Sequence, residues 1–467
     1  MSPRRFALAF FAVFLFAVTA SQAQSFSLLY DFGLVTGDPE QPYVSGVVAQ
    51  GRNGNMYTTS AIGGSFGEGT AFEVTSAGMI TVLHNFSNDG AYTTTGLTLG
   101  TDGNLYGGGF YGGSVGAGSV FKITPAGNLT TLYSFTGGSD GAYPYAPPIQ
   151  GSDGNFYGTT SFGATNDYGT VYKMTPAGKL TTLYDFDSTH GANPYSSLVQ
   201  GSDGYLYGTT ALGGTNSYGT VFKISTSGKL KVLFNFDGTH GQNSYSPLVQ
   251  GSDGNFYGTA SKGGDSGGGV VFKITPAGAI TVLHSFYPNG ITDGFVPLAG
   301  LAQATDGNLY GVTQGGGIGG GYGTIYRISM AGAYSVLYTF DRTHGAMPTV
   351  TPIQHTNGIL YGDATAGGAS AACGNDGCGT FYSFDLGLAP FVRLVSTSGK
   401  VGKTIGILGQ GFRKATAVSF NGTTATFRIS TDTFLTAVVP SGASTGTVTV
   451  SEPSETLTSS QPFLVLP

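Results

Sequence analysis

Gly151-Ser-Asp-Gly-Asn-Phe-Tyr-Gly158 is one copy of a motif that runs through most of the chain. Its tyrosine recurs at Tyr57, Tyr106, Tyr157, Tyr207, Tyr257, Tyr310 and Tyr361, with spacings of 49, 51, 50, 50, 53 and 51 residues. Asp-Gly between two runs of β-forming residues marks a tight hairpin turn. Outward from the motif, a short apolar block precedes it, as in Ser197-Leu-Val-Gln200. A β-prone block follows, such as Gly169-Thr-Val-Tyr-Lys-Met174, and after Thr175-Pro-Ala-Gly178 comes another, Leu180-Thr-Thr-Leu-Tyr-Asp-Phe186. Each unit of about fifty residues thus holds four short strands, which is the pattern of a β-propeller blade.

A four-stranded blade buries its faces only against neighbouring blades, so the ring must close. The Leu-Tyr-x-Phe block ends at Phe32, Phe86, Phe135, Phe186, Phe236, Phe286 and Phe340. Its first copy precedes the first tyrosine motif, and no copy follows Phe384. Ser25 to Phe32 is therefore expected to form the outermost strand of the last blade, beside Gly379 to Phe384, removing an open edge. The expected fold is all-β: a seven-bladed propeller closed by its N-terminal strand. A parallel β-helix is the alternative, but its coils are shorter and need no offset ends.

The composition fits this reading. Of 467 residues, 80 are Gly and 20 are Pro, while aromatics reach 13% and charged residues only 9%. Few charges with many aromatics exclude a disordered chain. Arg4 and Arg5, the apolar run Phe6 to Ala20 and Ser21-Gln-Ala23 read as a secretory signal. The run is about fifteen residues, short of the roughly eighteen or more that cross a bilayer. The mature chain is expected to be secreted, periplasmic or at the cell surface, soluble and monomeric, with no stable membrane insertion. Losing Arg4 and Arg5 takes the net charge from −6 to about −8, the wrong sign for a phosphate-tracking protein, so no nucleic-acid partner is expected.

Around Leu388 the repeat stops. Gly402 to Phe412, Val418-Ser-Phe-Asn-Gly422, Ala437-Val-Val-Pro440 and Gly446-Thr-Val-Thr-Val450 are short alternating strands of a small sandwich. Their order, Gly-x-Gly-Phe, Val-x-Phe-Asn-Gly, Val-Pro, Gly-x-Val-x-Val, resembles the IPT/TIG immunoglobulin-like domain, which implies a spacer or interaction module. The fifty-residue blocks over residues 26 to 385 resemble the GloVer-type tandem repeats of exported bacterial proteins. The first and seventh copies depart from that pattern, with Asn53-Gly54 and Asn357-Gly358 in place of Asp-Gly. The resemblance implies export and a propeller-like array and carries no catalytic residues over. The expected domains are residues 1–23, a signal peptide; 24–387, the propeller; and 388–467, the sandwich.

With strands counted outward from the axis, first-to-second and third-to-fourth links share one face and are tight, as in Gly201-Ser-Asp-Gly204. The other links, such as Ser161 to Tyr168 and Asp185 to Ser196, are long and share the opposite face. Long loops on a rigid ring are where function tends to sit. They carry Asp-x-Thr-His-Gly at Asp187 to Gly191, Asp237 to Gly241 and Asp341 to Gly345, and Tyr145, Tyr195 and Tyr245 sit at equivalent positions further along the same link in three successive blades. Read functionally, His190, His240, His344 and these tyrosines line a ligand-binding mouth. Read structurally, Asp and Thr cap the turn while Tyr and His pack the crossing from rim to axis, and this second reading is favoured.

Cys373 and Cys378, in Cys-Gly-Asn-Asp-Gly-Cys, are expected to form a disulfide. Two thiols without a neighbouring His make a poor zinc shell, so no metal site is expected there. Gly63-Gly-Ser-Phe-Gly67 and Gly315 to Gly320 match nucleophile-elbow and dinucleotide patterns but lack the helix that each requires. No catalytic residue and no cofactor is assigned. The leading expectation is a non-catalytic exported propeller that binds glycans or cell-surface proteins through its long-loop face. The alternative is a secreted polysaccharide-acting hydrolase or lyase on the same face, using non-repeated acids such as Asp265, Asp363 and Asp376.

Overall fold

The computed structural model describes residues 24–42, 47–90, 92–93, 95–288 and 292–466. Residues 1–23, the expected signal segment, lie outside these. Among the described residues, seven four-stranded antiparallel sheets make up the repeat region, with no α-helix. Blade four is representative: a two-residue inner strand, Val199–Gln200, then Leu206–Thr210, Thr220–Ile224 and Leu230–Asn235 in spatial order. The second strand is buried throughout and the fourth is half-exposed. This gradient follows from the short inner strand, which leaves the middle strands to carry the packing surface.

The apolar clusters lie at the junctions between blades. Tyr207, Val221 and Phe236 of blade four pack on Phe256, Phe272 and Ile274 of blade five. At the junction of last and first blades, Ile353, Tyr361 and Phe381 pack on Val48, Met56 and Phe72, with Phe32 among them. Ser25–Asp31 takes the fourth-strand place of blade seven, antiparallel to Thr380–Asp385, with Ser25 opposite Asp385 and Asp31 opposite Thr380. It even repeats the bulge of the other blades. Leu29 is the extra residue between Leu28 and Tyr30, as Leu183 and Leu233 are in blades three and four. A bulge bends the strand and frees a carbonyl from the ladder. The Leu183 carbonyl abuts Gly228 of the next blade, where a Cβ would lie 2.7 Å away; Leu29 abuts Gly78 of blade one in the same way, at 2.6 Å.

A belt of glutamines joins the tight turns. The Gln200 side chain donates from Nε2 to Gly204 O of its own turn (3.1 Å) and accepts at Oε1 from Ser152 N of the preceding blade (2.8 Å). Gln150, Gln250, Gln303, Gln354 and Gln50 accept likewise from Thr101, Ser202, Ser252, Thr305 and Thr356. An amide fits because one short side chain both donates and accepts. Blade two has Leu99 at this position. There Arg52 makes the link from blade one instead, its guanidinium donating to Thr101 O at 2.6 Å.

The tail forms two four-stranded sheets around a core that includes Val392, Ile407, Phe412, Val418, Leu435 and Val450. This sandwich sits on the tight-turn face and straddles the seam between blades seven and one. On blade one, Thr433 and Thr431 donate to Arg52 O (2.7 and 3.2 Å), and the Arg52 guanidinium lies 4.4 Å above the Phe434 ring. On blade seven, Thr356 Oγ1 donates to Gly409 O and accepts from Gln410 and from Gln50 (3.3, 2.9 and 2.7 Å). Arg393 donates to Gln354 O.

Two outcomes test the seam. Deleting Ser25 to Phe32 removes a whole strand and Phe32 from the last junction, and calorimetry should then show loss of the cooperative melting transition. Gln50→Leu leaves the buried Thr356 amide without its acceptor and should cost about 1–3 kcal/mol, whereas Gln200→Leu, beside an exposed Ser152 that water can reach, should cost about 1 kcal/mol or less in denaturant unfolding.

Candidate functional site

The long link from rim to axis has three stations. At the rim, each Asp-x-Thr-His-Gly element closes on itself. Asp187 accepts from His190 N at 2.9 Å and contacts His190 Nδ1 at 2.7 Å; Asp237–His240 and Asp341–His344 repeat the ring contact at 2.8 and 2.7 Å. Partial burial works to raise the pKa of each aspartate, but the bonds from its histidine outweigh it and hold the carboxyl below its ordinary value. The rings of His190, His240 and His344 lie 6.2, 5.4 and 6.3 Å from Tyr184, Phe234 and Phe26. All three neighbours belong to outermost strands.

Midway, the chain turns through a left-handed residue. Gln41, Tyr92, Tyr143, Asn193, Asn243, Val296 and Met347 occupy the same place in their blades, with φ between 47° and 58°. Asn tolerates this region, but for Val296 it is strained by about 1–3 kcal/mol. Backbone bonds on both sides fix it: Asn193 N donates to Tyr168 O of the preceding blade (2.9 Å), and Asn193 O accepts from Ala211 N of the next (3.2 Å). At the seam, Gln41 bonds in the same way to Cys378 O and Ala61 N (2.8 and 3.3 Å).

Past this turn the predicted tyrosines meet. Tyr145 and Tyr195 pack edge to face at 4.9 Å, and Tyr195 and Tyr245 lie 5.4 Å apart. Phe110 continues the line, 5.2 Å from Tyr145, and Tyr111 then leads to Tyr92, with steps of 4.6 and 5.8 Å. Tyr143 and Phe162 flank it. These rings form a belt across blades two to five, next to the inner strands. Burial raises the phenol pKa of Tyr195, which the neighbouring Tyr245 raises further, and burial also raises that of Tyr245, so both are neutral hydroxyls. The structure therefore brings Tyr145, Tyr195 and Tyr245 together and sets the three histidines apart at the rim. Phe110, Tyr111 and Phe162 come from second-to-third loops and were missed; the Phe110-Tyr111 pair was the available signal. Phe66, Val115, Tyr168, Tyr218 and Ile318, exposed on those same loops, give this face an apolar surface.

The acidic residues serve structure or stand apart. Asp153 accepts from Tyr157 OH (2.8 Å), Asn155 (2.8 Å) and Lys173 (3.0 Å). Partial burial opposes ionisation there, yet these bonds hold its pKa at about 2. Asp265 and Asp376 are exposed in blades five and seven. Asp363 is fully buried with both oxygens unpartnered, and burial raises its pKa to about 8. Cys373 and Cys378 are joined by the expected disulfide, in the blade-seven loop at the seam. With Glu40 they form the one cluster of three metal-donor side chains among the described residues, and both sulfurs are taken by the disulfide.

The family model of the Gloeobacter/Verrucomicrobia repeat matches residues 12–202 and 111–320, more than half of the chain. The chain belongs to this repeat family. An IPT/TIG domain model matches residues 390–465, the sandwich that follows the Gloeobacter/Verrucomicrobia repeats. No curated protein matches. Among solved structures, a fungal alcohol oxidase of the AA5 family in complex with copper is 17% identical, with a TM-score of 0.50 over 91% of this chain and 98% of its own. A putative 6-phosphogluconolactonase from Bacteroides uniformis is 16% identical (TM-score 0.44; 68% and 95% covered). A PQQ-bound aldose sugar dehydrogenase from Streptomyces coelicolor is 13% identical (TM-score 0.42; 78% and 98% covered). At this identity the first likeness shows the fold alone.

Asp363 yields a pH prediction. Its folded pKa lies above its unfolded value of 3.8, so the folded state holds a proton that the unfolded state releases, and stability falls as pH rises from about 4 to 8. Asp363→Thr installs the residue that blades one, three, four and five carry there as Thr59, Thr159, Thr209 and Thr259. It should raise the melting temperature at pH 8, by the equivalent of a few kcal/mol, and change it much less at pH 4.

Proposed function

We propose that this chain is an exported, non-catalytic binding propeller that engages a glycan through the aromatic belt of its long-loop face. The belt of Tyr92, Tyr111, Phe110, Tyr145, Tyr195 and Tyr245 carries this reading. An aromatic face offers a flat apolar surface to the C–H side of a sugar ring, and a tyrosine hydroxyl adds a polar handle. The belt is confined to blades two to five; the matching positions in blades six and seven are Leu298 and Thr349. Such a one-sided strip suits an extended polymer better than a small metabolite. Cleavage of a glycan would call for two carboxyls flanking one bond. Asp363 is sealed from any substrate, and Asp265 and Asp376 belong to different blades. The sandwich grips the opposite face and leaves the belt clear, as a spacer would.

Affinity electrophoresis of the mature chain against a panel of soluble polysaccharides tests this. Tyr195→Ala should weaken retention by at least tenfold, about 1.4 kcal/mol. His240→Ala should leave it unchanged. Retention that survives Tyr195→Ala, or that His240→Ala abolishes, would move the binding surface away from the belt.

A further inference from the structure

The ring and the sandwich line an open cavity of about 390 Å³ around the axis, on the face opposite the aromatic belt. Its ring side is formed by residues of the inner strands and of the segments just before them, mostly aliphatic, among them Leu97, Leu198, Leu248 and Ile353. From the sandwich come Leu394, Val395, Leu408 and one cation, Arg393. The Arg393 guanidinium donates to Gln354 O and lies 5.9 Å from the Phe391 ring. Among the described residues the cation–carboxylate pairs outside histidine are Lys173–Asp153, Lys223–Asp203 and Lys273–Asp253, so Arg393 has no acidic partner. His355, the titratable group beside it, brings no negative charge. Burial lowers its pKa, and its ring bridges Gly54 O at Nε2 and Asn357 N at Nδ1. Burial without a counter-charge likewise pulls the Arg393 pKa down to about 10.

A single bond to a carbonyl does not call for an ion; a neutral donor would make it without the cost of desolvating a charge. The positive charge is surplus to the packing of the sandwich, and it faces an aliphatic chamber. We infer that the axial cavity binds a small carboxylic acid with an apolar tail, its carboxylate on Arg393 and its tail along the inner strands. Guanidinium and carboxylate pair in bidentate fashion, and the mostly aliphatic lining around them strengthens the pair. At about 30 Å³ per water-sized unit, the volume accommodates roughly thirteen non-hydrogen atoms. Octanoate is small enough to fit within it.

Calorimetric titration of the full mature chain with octanoate tests the inference, with octan-1-ol, chloride and phosphate as parallel probes. Octanoate should bind once per chain, and Arg393→Gln should weaken it at least tenfold. Val395→Trp fills the chamber from the sandwich side while keeping the guanidinium, and should abolish binding; it also covers the case in which Arg393→Gln loosens the sandwich. Absence of octanoate binding overturns the inference. So does equal affinity for octan-1-ol, binding of chloride or phosphate alone, or octanoate binding that both variants leave unchanged.

Discussion

Each apolar cluster of the ring lies between two blades, as when Tyr207 and Phe236 of blade four meet Phe256 and Ile274 of blade five. Stability is therefore a property of junctions, and every blade depends on both neighbours. The chain itself crosses every junction, the seventh by passing from Asp31 in blade seven to Ala49 in blade one. Only blade seven is built from both ends of the repeat region, and several contacts gather there and at its seam with blade one: the N-terminal strand, Gln50 with Thr356, Gln41 with Cys378, and His355 with Gly54. The sandwich adds its grip on Arg52 and Thr356, one residue on each side of the seam.

The two faces hold the ring by different chemistry. On the tight-turn face, side-chain amides link turn to turn, which leaves the turns short and nearly invariant in shape. On the long-loop face, a left-handed residue in each blade bonds backward through its amide, and in all but blade two its carbonyl bonds forward. Because that bond belongs to the backbone, residues on either side of it are free to differ between blades. Asn193 and Val296 perform the same task, and two residues later Tyr195 and Leu298 stand in its place. Variation is thereby allowed where a ligand would be met.

Periodic features were legible in the sequence. Strand count, the N-terminal strand and the disulfide each follow from spacing or composition, because they rest on local pattern. The glutamine belt was visible as a recurring Gln at the end of every inner strand except that of blade two, but its acceptor role depends on a turn about fifty residues away. The left-handed turn leaves no local mark, since Val296 and Met347 would not choose it without tertiary bonds. Histidines and tyrosines shared one loop and so were grouped as one mouth. That loop crosses the blade from rim to axis, which places His190 and Tyr195 at separate stations. The partners of Tyr145 lay on a different loop, which spacing alone does not reveal.

Seven similar blades present the sandwich with seven similar landing places, and a rotation of the ring by one blade would change little in the backbone. Arg52 in place of a serine or threonine, and His355 in place of a glycine or alanine, mark one junction as different from the rest. They act as an index notch on an otherwise repetitive wheel. The azimuth of the sandwich is thereby set relative to the aromatic belt, so that whatever the sandwich is fastened to also fixes the compass direction in which the belt points.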